Sequence, residues 1–453
     1  MPNFKKLTKQ YQTNAAIALQ QFVRIDSVYD ASSKGANAPF GAGVKKALDY
    51  VAKLGKDLGF AVNTCDGYCT ELTIGDEGPI IGLYAHSDVV PISGKWDLPP
   101  FSGQLKDGRI WGRGSIDDKG PLIASLYAIK ALKDAGLIKG YRVRLVSGGD
   151  EERGSSCLEY YFHTLKKEQA KYGFTPDADF PLIYGEKAIR RYTLSLDGEL
   201  GPVINMEGGV VANAVCDKIL VTMKKDEKFL ALLKEKKVDV DISEAGDVSI
   251  LAFKGKSAHG SSPEEGINAA GIAFKLIGDF YHLEKLSKFA EAINSPDGKV
   301  WGGYSHSKEL LDATYNYGVI KYDGNKLTSS LDFRFGEEAN PDELIKKLVS
   351  FTGFEATMVS DTKALLFDTK STLVSTLMKS YKRQTHQFFA KPFTIGGGTY
   401  AKECENTVAF GAVFEGHPGN MHSPNEYIYV EDFNKCIAIY ADAIYSLGKA
   451  ATK

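Results

Sequence analysis

Pro79–Val90 reads PIIGLYAHSDVV. From Ile80 to Ala85 the residues are apolar or glycine without alternation, the pattern of a strand covered on both faces, as in the parallel sheets of α/β proteins. That strand then breaks off into His86 and Asp88. Polar groups at the carboxyl end of a buried parallel strand stand where open α/β sheets build their sites. The stretch therefore predicts both a fold class and the place to look for chemistry.

Working outward, Gly43–Leu58 (GVKKALDYVAKLGKDL) carries apolar residues at helical spacing. In DDKGPLIASLYAIKALKDAG, Pro121 lies near a helix start, Leu122, Leu126, Ile129 and Leu132 share one side, and Gly136 ends it. A second strand, YRVRLVSGG, delivers three adjacent carboxylates in SGGDEERG, Asp150 to Glu152, and SCLEYYFHTLKKEQAKYG reads as the next helix. After about residue 188 the texture changes. DVSILAFKGK and KLTSSLDFRF are strand-like, and EEGINAAGIAFKLIGDFYHLEKL between them is helical. From about 368 an amphipathic helix, the turn TIGGGTY and the strand-like NTVAFGAVF resume the first pattern. The reading is an α/β domain over 1–187, an inserted α+β domain over 188–367, and a C-terminal part over 368–453 that completes the first.

Composition narrows the function. The chain has 453 residues, 43% hydrophobic and 25% charged, and 55 Lys plus Arg against 57 acids give a net charge of −2. No bulk positive field is available for a phosphate backbone, so no nucleic-acid partner is expected. No run approaches about 18 apolar residues and the N-terminus has no apolar signal core, so no membrane partner is expected and a cytoplasmic location is the default. Six scattered cysteines show no disulfide framework. Cys65 and Cys69, in CDGYC, lack a second ligand pair at finger-like spacing, and free thiols are expected.

The polar residues that end the apolar runs are His86 and Asp88; Asp117 and Asp118 in GRGSIDDKG; Glu151 and Glu152; Asp177 and Asp179 in TPDADFP; and His422 in GNMHSPNE. Imidazoles mixed with carboxylates suit zinc, cobalt or manganese. Two such ions with a shared carboxylate would hold a water between them as an acidic nucleophile. Each site alone is more often a cap or a satisfied polar group. Five in one chain are harder to dismiss together.

The ordered set HSDVVP, Trp96, PPF, GRGSIDDKG, DEE, PDADFP and MHSPNE resembles the co-catalytic metallopeptidases that include carboxypeptidase G, aminoacylases and acetylornithine deacetylase, and most closely the PepV-type dipeptidases. The resemblance spans nearly the whole chain. It implies a catalytic α/β/α metallopeptidase domain with an inserted α+β lid, and two divalent ions per chain, Zn2+ first, with Mn2+ or Co2+ as alternatives. It implies that His86 and His422 bind one ion each, that Asp117 bridges, and that Glu152 and Asp177 complete the two shells on opposite ions. Asp88 would hydrogen-bond the His86 ring, and Glu151 would act as general base and acid. Asp118 stays open as ligand or helix cap, Asp179 as a substitute for Asp177, and His417 as a decoy. Asp150 is read as a loop support.

Within the insert, the resemblance assigns Asn213 and His259 to the developing oxyanion and Arg334 to the substrate's C-terminal carboxylate. Hinges are expected near 188 and 367. The turn Gly396–Tyr400 resembles the family's carboxylate-binding loop. The expected activity is dipeptide hydrolysis. Deacylation of N-acyl amino acids is the alternative on the same scaffold, and a silent metal- or peptide-binding protein is the alternative from another class. The insert is long enough to serve its own chain, so a monomer is expected, with a homodimer open.

Overall fold

The computed structural model describes residues 1–453. They form two compact units, one of Met1–Tyr184, Phe367–Phe393 and Gly398–Lys453, the other of Gly185–Leu366 with Thr394–Gly397. Thr394–Gly397, expected to lie with the C-terminal segment, thus belongs to the second unit. The Ile395 carbonyl accepts the Lys187 N–H at 3.2 Å. No helix is long and apolar enough to cross a membrane.

In the first unit the Ile80–His86 strand lies between Arg142–Gly148 and Tyr172–Thr175, parallel to both, and Thr407–Ala409 extends the parallel run beyond Tyr172–Thr175. Every residue of Ile80–His86 is buried. Both faces are covered, which is why the run does not alternate. On one face Leu83, Ala85, Val143 and Leu145 share a core with Leu122, Leu126 and Ile129 of the Lys119–Asp134 helix and with Ile437 and Ile444 of the Val430–Ala451 helix. On the other, Tyr84 and Val146 meet Cys157, Tyr161 and Tyr400. All six cysteines are free and buried.

The segment read as one helix over 156–173 forms only Ser156–Glu159, continued through Tyr160–Thr164 by a wider turn. Lys166 takes a left-handed φ of 53° and Tyr172–Thr175 is already a strand. KKEQAK offers no apolar stripe to bury, so nothing prolongs the helix.

The second unit is an eight-stranded antiparallel sheet, in the order 240–245, 248–254, 218–224, 203–208, 314–322, 326–335, 188–197, 355–362. Its core joins Leu251, Phe253, Leu331 and Phe333 to Phe274 and Phe289. Those two phenylalanines come from separate helices, Ala269–Phe280 and Glu284–Ile293, where the sequence suggests one continuous stretch. His282, at φ 57°, breaks it. Along Lys326–Phe335 alternation holds at first, but Asp332 and Arg334 are as buried as Phe333 between them.

Candidate metal centre

Three parallel strands bring their carboxyl ends to one edge of the first sheet. His86 is the last residue of its strand, Glu151 and Glu152 follow Gly148 by three and four residues, and Asp177 follows Thr175 by two. Asp117 comes from the loop that enters the Lys119–Asp134 helix, joined to Asp118 by a cis peptide bond. Two glycines make that loop possible. Gly114 adopts φ 85°, and a Cβ on Gly120 would stand 2.2 Å from the Ser115 carbonyl oxygen.

The side chains converge on Asp117. Its Oδ1 lies 2.9 Å from His86 Nε2 and its Oδ2 lies 2.8 Å from His422 Nε2. Each oxygen of one carboxylate therefore faces a different imidazole. Asp177 approaches the first ring, Oδ2 to Nε2, at 3.6 Å, and Glu152 approaches the second at 3.2 Å. His86, Asp117 and Asp177 form one set of convergent ligand atoms and Asp117, Glu152 and His422 another, with the atoms within 4.8 Å of one another. Donors about 2.1 Å from a shared tetrahedral cation stand roughly 3.4 Å apart, so both sets fit a divalent ion.

The electrostatics are those of anions crowded around two imidazoles. Burial alone would raise Asp117, but hydrogen bonds from His422 and His86 hold its carboxyl well below the usual range. Burial favours a neutral ring at His422, yet its bonds to Asp117 and Glu152 push it up to about 11. His86 is raised well above its usual value in the same way, by Asp117 and Asp177 against burial. Glu152 is pushed up to about 7 by burial and the Asp117 charge, with His422 opposing. Glu151 lies outside both ligand sets. Burial first, then the charges of Asp177, Glu152 and Asp117, raise it well above the usual carboxyl range.

The neighbouring acids have other occupations. Asp88, expected to hydrogen-bond the His86 ring, meets it mainly through its main chain. The Asp88 backbone carbonyl holds His86 Nδ1 at 2.9 Å, while the nearer carboxylate oxygen stands off at 3.5 Å. That carboxylate accepts the backbone N–H groups of Glu151 and Glu152, at 3.1 and 3.2 Å. Asp118 sits at the helix N-terminus without capping it, and its Oδ2 accepts the His86 backbone N–H at 3.2 Å. Asp179 is exposed and outside both sets. His417 bonds Asp432 instead, and Asp150 accepts the Ser156 hydroxyl, bracing the loop.

Residues 82–446 match the model of Peptidase family M20/M25/M40. The chain belongs to this family. It is 34% identical over 454 residues to a Bacillus subtilis protein named "putative dipeptidase YtjP", covering 95% of this chain and 96% of that one. It is 32% identical over 467 residues to a Staphylococcus epidermidis protein also named "putative dipeptidase", covering 98% and 99%. Among solved structures, human carnosine dipeptidase 1 superposes with a TM-score of 0.61 at 14% identity, over 99% of both chains. The Saccharomyces cerevisiae di-peptidase Dug1p does so with 0.60 at 13% identity, over 98% of both. At such identities the likeness speaks for the M20 fold alone.

In the second unit of this M20 chain, Ala214 and His259 form an antiparallel bridge, and the Asn213 carbonyl accepts the Gly260 N–H at 2.7 Å. Asn213 and His259 are thereby neighbours. Asn316, missed by sequence reasoning, ties their loop to the sheet by donating to the Ala212 and Ala214 carbonyls at 2.7 and 3.0 Å. The exposed His259 ring bonds Ser261 Oγ at 2.7 Å. Arg334 is buried and partly engaged. Asp332 takes Nε at 2.7 Å and Nη2 at 3.4 Å, and the Gly396 carbonyl takes Nη1 at 2.7 Å. In the first unit, sequence reasoning also passed over Arg113 and Glu426, fully buried charges inside GRGSIDDKG and MHSPNE. Charged letters in a Gly-rich or Pro-containing motif were the signal.

Proposed function

We propose that the chain is a dinuclear metal-dependent dipeptidase that hydrolyses short peptides with a free C-terminal carboxylate. The observation that carries this reading is the Asp117 carboxylate, whose two oxygens face His86 and His422 at 2.9 and 2.8 Å. His86, Asp117 and Asp177 would hold one divalent ion, and Asp117, Glu152 and His422 the other. Such a pair of ions supplies an acidified water and polarises the scissile carbonyl. Zinc is the preferred occupant of this donor set, with manganese or cobalt next.

Glu151 does the proton work. It takes a proton from the attacking water and returns it to the leaving amine, which requires a carboxyl free of metal and shifted toward neutrality. Its backbone N–H is held by the Asp88 carboxylate at 3.1 Å. In the second unit, Asn213 and His259 are assigned to the developing oxyanion as hydrogen-bond donors. Arg334 is assigned to the substrate carboxylate. Three of its five N–H groups are already engaged, so its remaining two would serve, with Asp332 holding the guanidinium plane.

The test is a panel of dipeptides, tripeptides and N-acetyl amino acids offered to metal-free protein after addition of each metal. The proposal expects dipeptides to be cleaved at least tenfold faster than the other two classes. Preferential cleavage of N-acetyl amino acids would replace it with a deacylase.

A further inference from the structure

Three residues of the sequence motifs have no part in the chemistry described so far. They are Trp96, the arginine of GRG, and the final glutamate of MHSPNE. They meet in the structure. Glu426 Oε1 accepts the backbone N–H groups of Ile116 at 3.1 Å and Asp117 at 3.3 Å. Its Oε2 accepts Arg113 Nη1 at 2.7 Å, and its own carbonyl accepts the Gly112 N–H at 2.9 Å. Arg113 lies over the Trp96 ring at 5.3 Å, and its Nε and Nη2 have no partner. Glu426 and Arg113 are 0% and 1% exposed.

A buried ion pair of this kind is no more stabilising than apolar residues of the same volume, because both charges lose their hydration. What the pair does is fix a loop. Glu426 accepts four hydrogen bonds, from Gly112, Arg113, Ile116 and Asp117, and it is four positions from His422. Three of the four are made by the side chain, which thus ties the Asp117 loop to the segment that carries His422. Asp117 is common to both sets and Glu152, like His86 and Asp177, follows a strand end, so His422 is the one ligand carried on the Glu426 segment.

From this we infer that Glu426 is a positioning residue for the shared carboxylate, locking Asp117 to the His422 segment and thereby shaping the Asp117–Glu152–His422 pocket in particular. The inference rests on the reading of Asp117 as a ligand common to two ions. Outer groups that orient metal ligands typically change metal affinity or activity by about 10–100-fold when altered. Glu426→Asp keeps the charge opposite Arg113 but draws the carboxylate back from the Asp117 N–H. Glu426→Gln with Arg113→Gln removes both charges but keeps an oxygen for the two N–H groups, the amides pairing with each other.

The experiment titrates cobalt(II) into metal-free protein, following visible absorption, and measures kcat and KM on a dipeptide. Glu426→Asp should bind the first equivalent within about threefold of the parent and the second at least tenfold more weakly, with kcat down about 10–100-fold and KM within about twofold. The double Gln protein should hold both equivalents within about threefold of the parent. Parental second-site affinity in Glu426→Asp overturns the inference, and so does a tenfold second-site loss in a double Gln protein that melts as the parent does. Either variant decides alone should the other fail to fold. A parent that takes up fewer than two cobalt ions instead contradicts the dinuclear reading itself, whatever Glu426 does.

Discussion

Glu151 and Glu152 are the same side chain one peptide bond apart, and their backbone N–H groups share one acceptor, the Asp88 carboxylate. With both amides held, the two side chains take different surroundings. Glu152 meets His422, whereas Glu151 stands outside both ligand sets. Glu151→Gln should lower kcat by about 10²–10⁴-fold with two metal ions per chain still bound, and Glu152→Gln should lose metal at the His422 pocket. Metal analysis beside turnover separates these outcomes. A second prediction follows from the imidazoles. His422 is held protonated up to about 11 by Asp117 and Glu152, although burial opposes it. A ligating imidazole must shed that proton, so metal uptake should release protons and metal affinity should fall as pH is lowered. Calorimetry in two buffers of different ionisation enthalpy should show release of at least two protons per chain at neutral pH, one from each histidine and a further fraction from Glu152, which is pushed up to about 7. Uptake without proton release would contradict the assignment.

At the level of elements, the site is a set of strand ends plus one loop, and the loop tolerates little. A Cβ at Gly120 would meet the Ser115 carbonyl at 2.2 Å. Gly120→Ala should therefore destabilise the metal-free protein by about 1–3 kcal/mol in urea unfolding and also weaken metal binding, because Ser115 and Asp117 share the displaced loop. What the sequence made legible, and what it hid, divides along the same line. Ile80–His86 could be read because a strand buried on both faces leaves an unbroken apolar run, and Arg142–Gly148 because Val143, Leu145 and Val146 are β-formers that end in glycine. The polar residues ending them were then marked by contrast. The roles of Asp88 and Glu426 were hidden, since both bond to main-chain N–H groups, which have no residue signature, and Glu426 lies 309 positions from Asp117. The bond from Arg334 to Asp332 was hidden too, because a polar face on a strand reads as solvated, whereas both residues are buried.

At the scale of the whole molecule, the two units keep separate apolar cores, and all the proposed metal ligands belong to the first. Metal should stabilise only the unit that binds it, by roughly 4 kcal/mol for each ion at a thousandfold excess over its Kd. Calorimetric scans with and without metal should therefore show one transition move upward while the other stays, and equal shifts in both would argue for metal bound elsewhere. Two ions sharing Asp117 are proposed to drive peptide hydrolysis. The most direct test is the rate of dipeptide cleavage as zinc is added stepwise to chelator-treated protein, with bound metal measured at each step. Turnover should be negligible without metal and reach its maximum at two ions per chain, and that rise should be absent in Asp117→Ala. Undiminished cleavage in the metal-free protein, or in Asp117→Ala, would contradict this proposal.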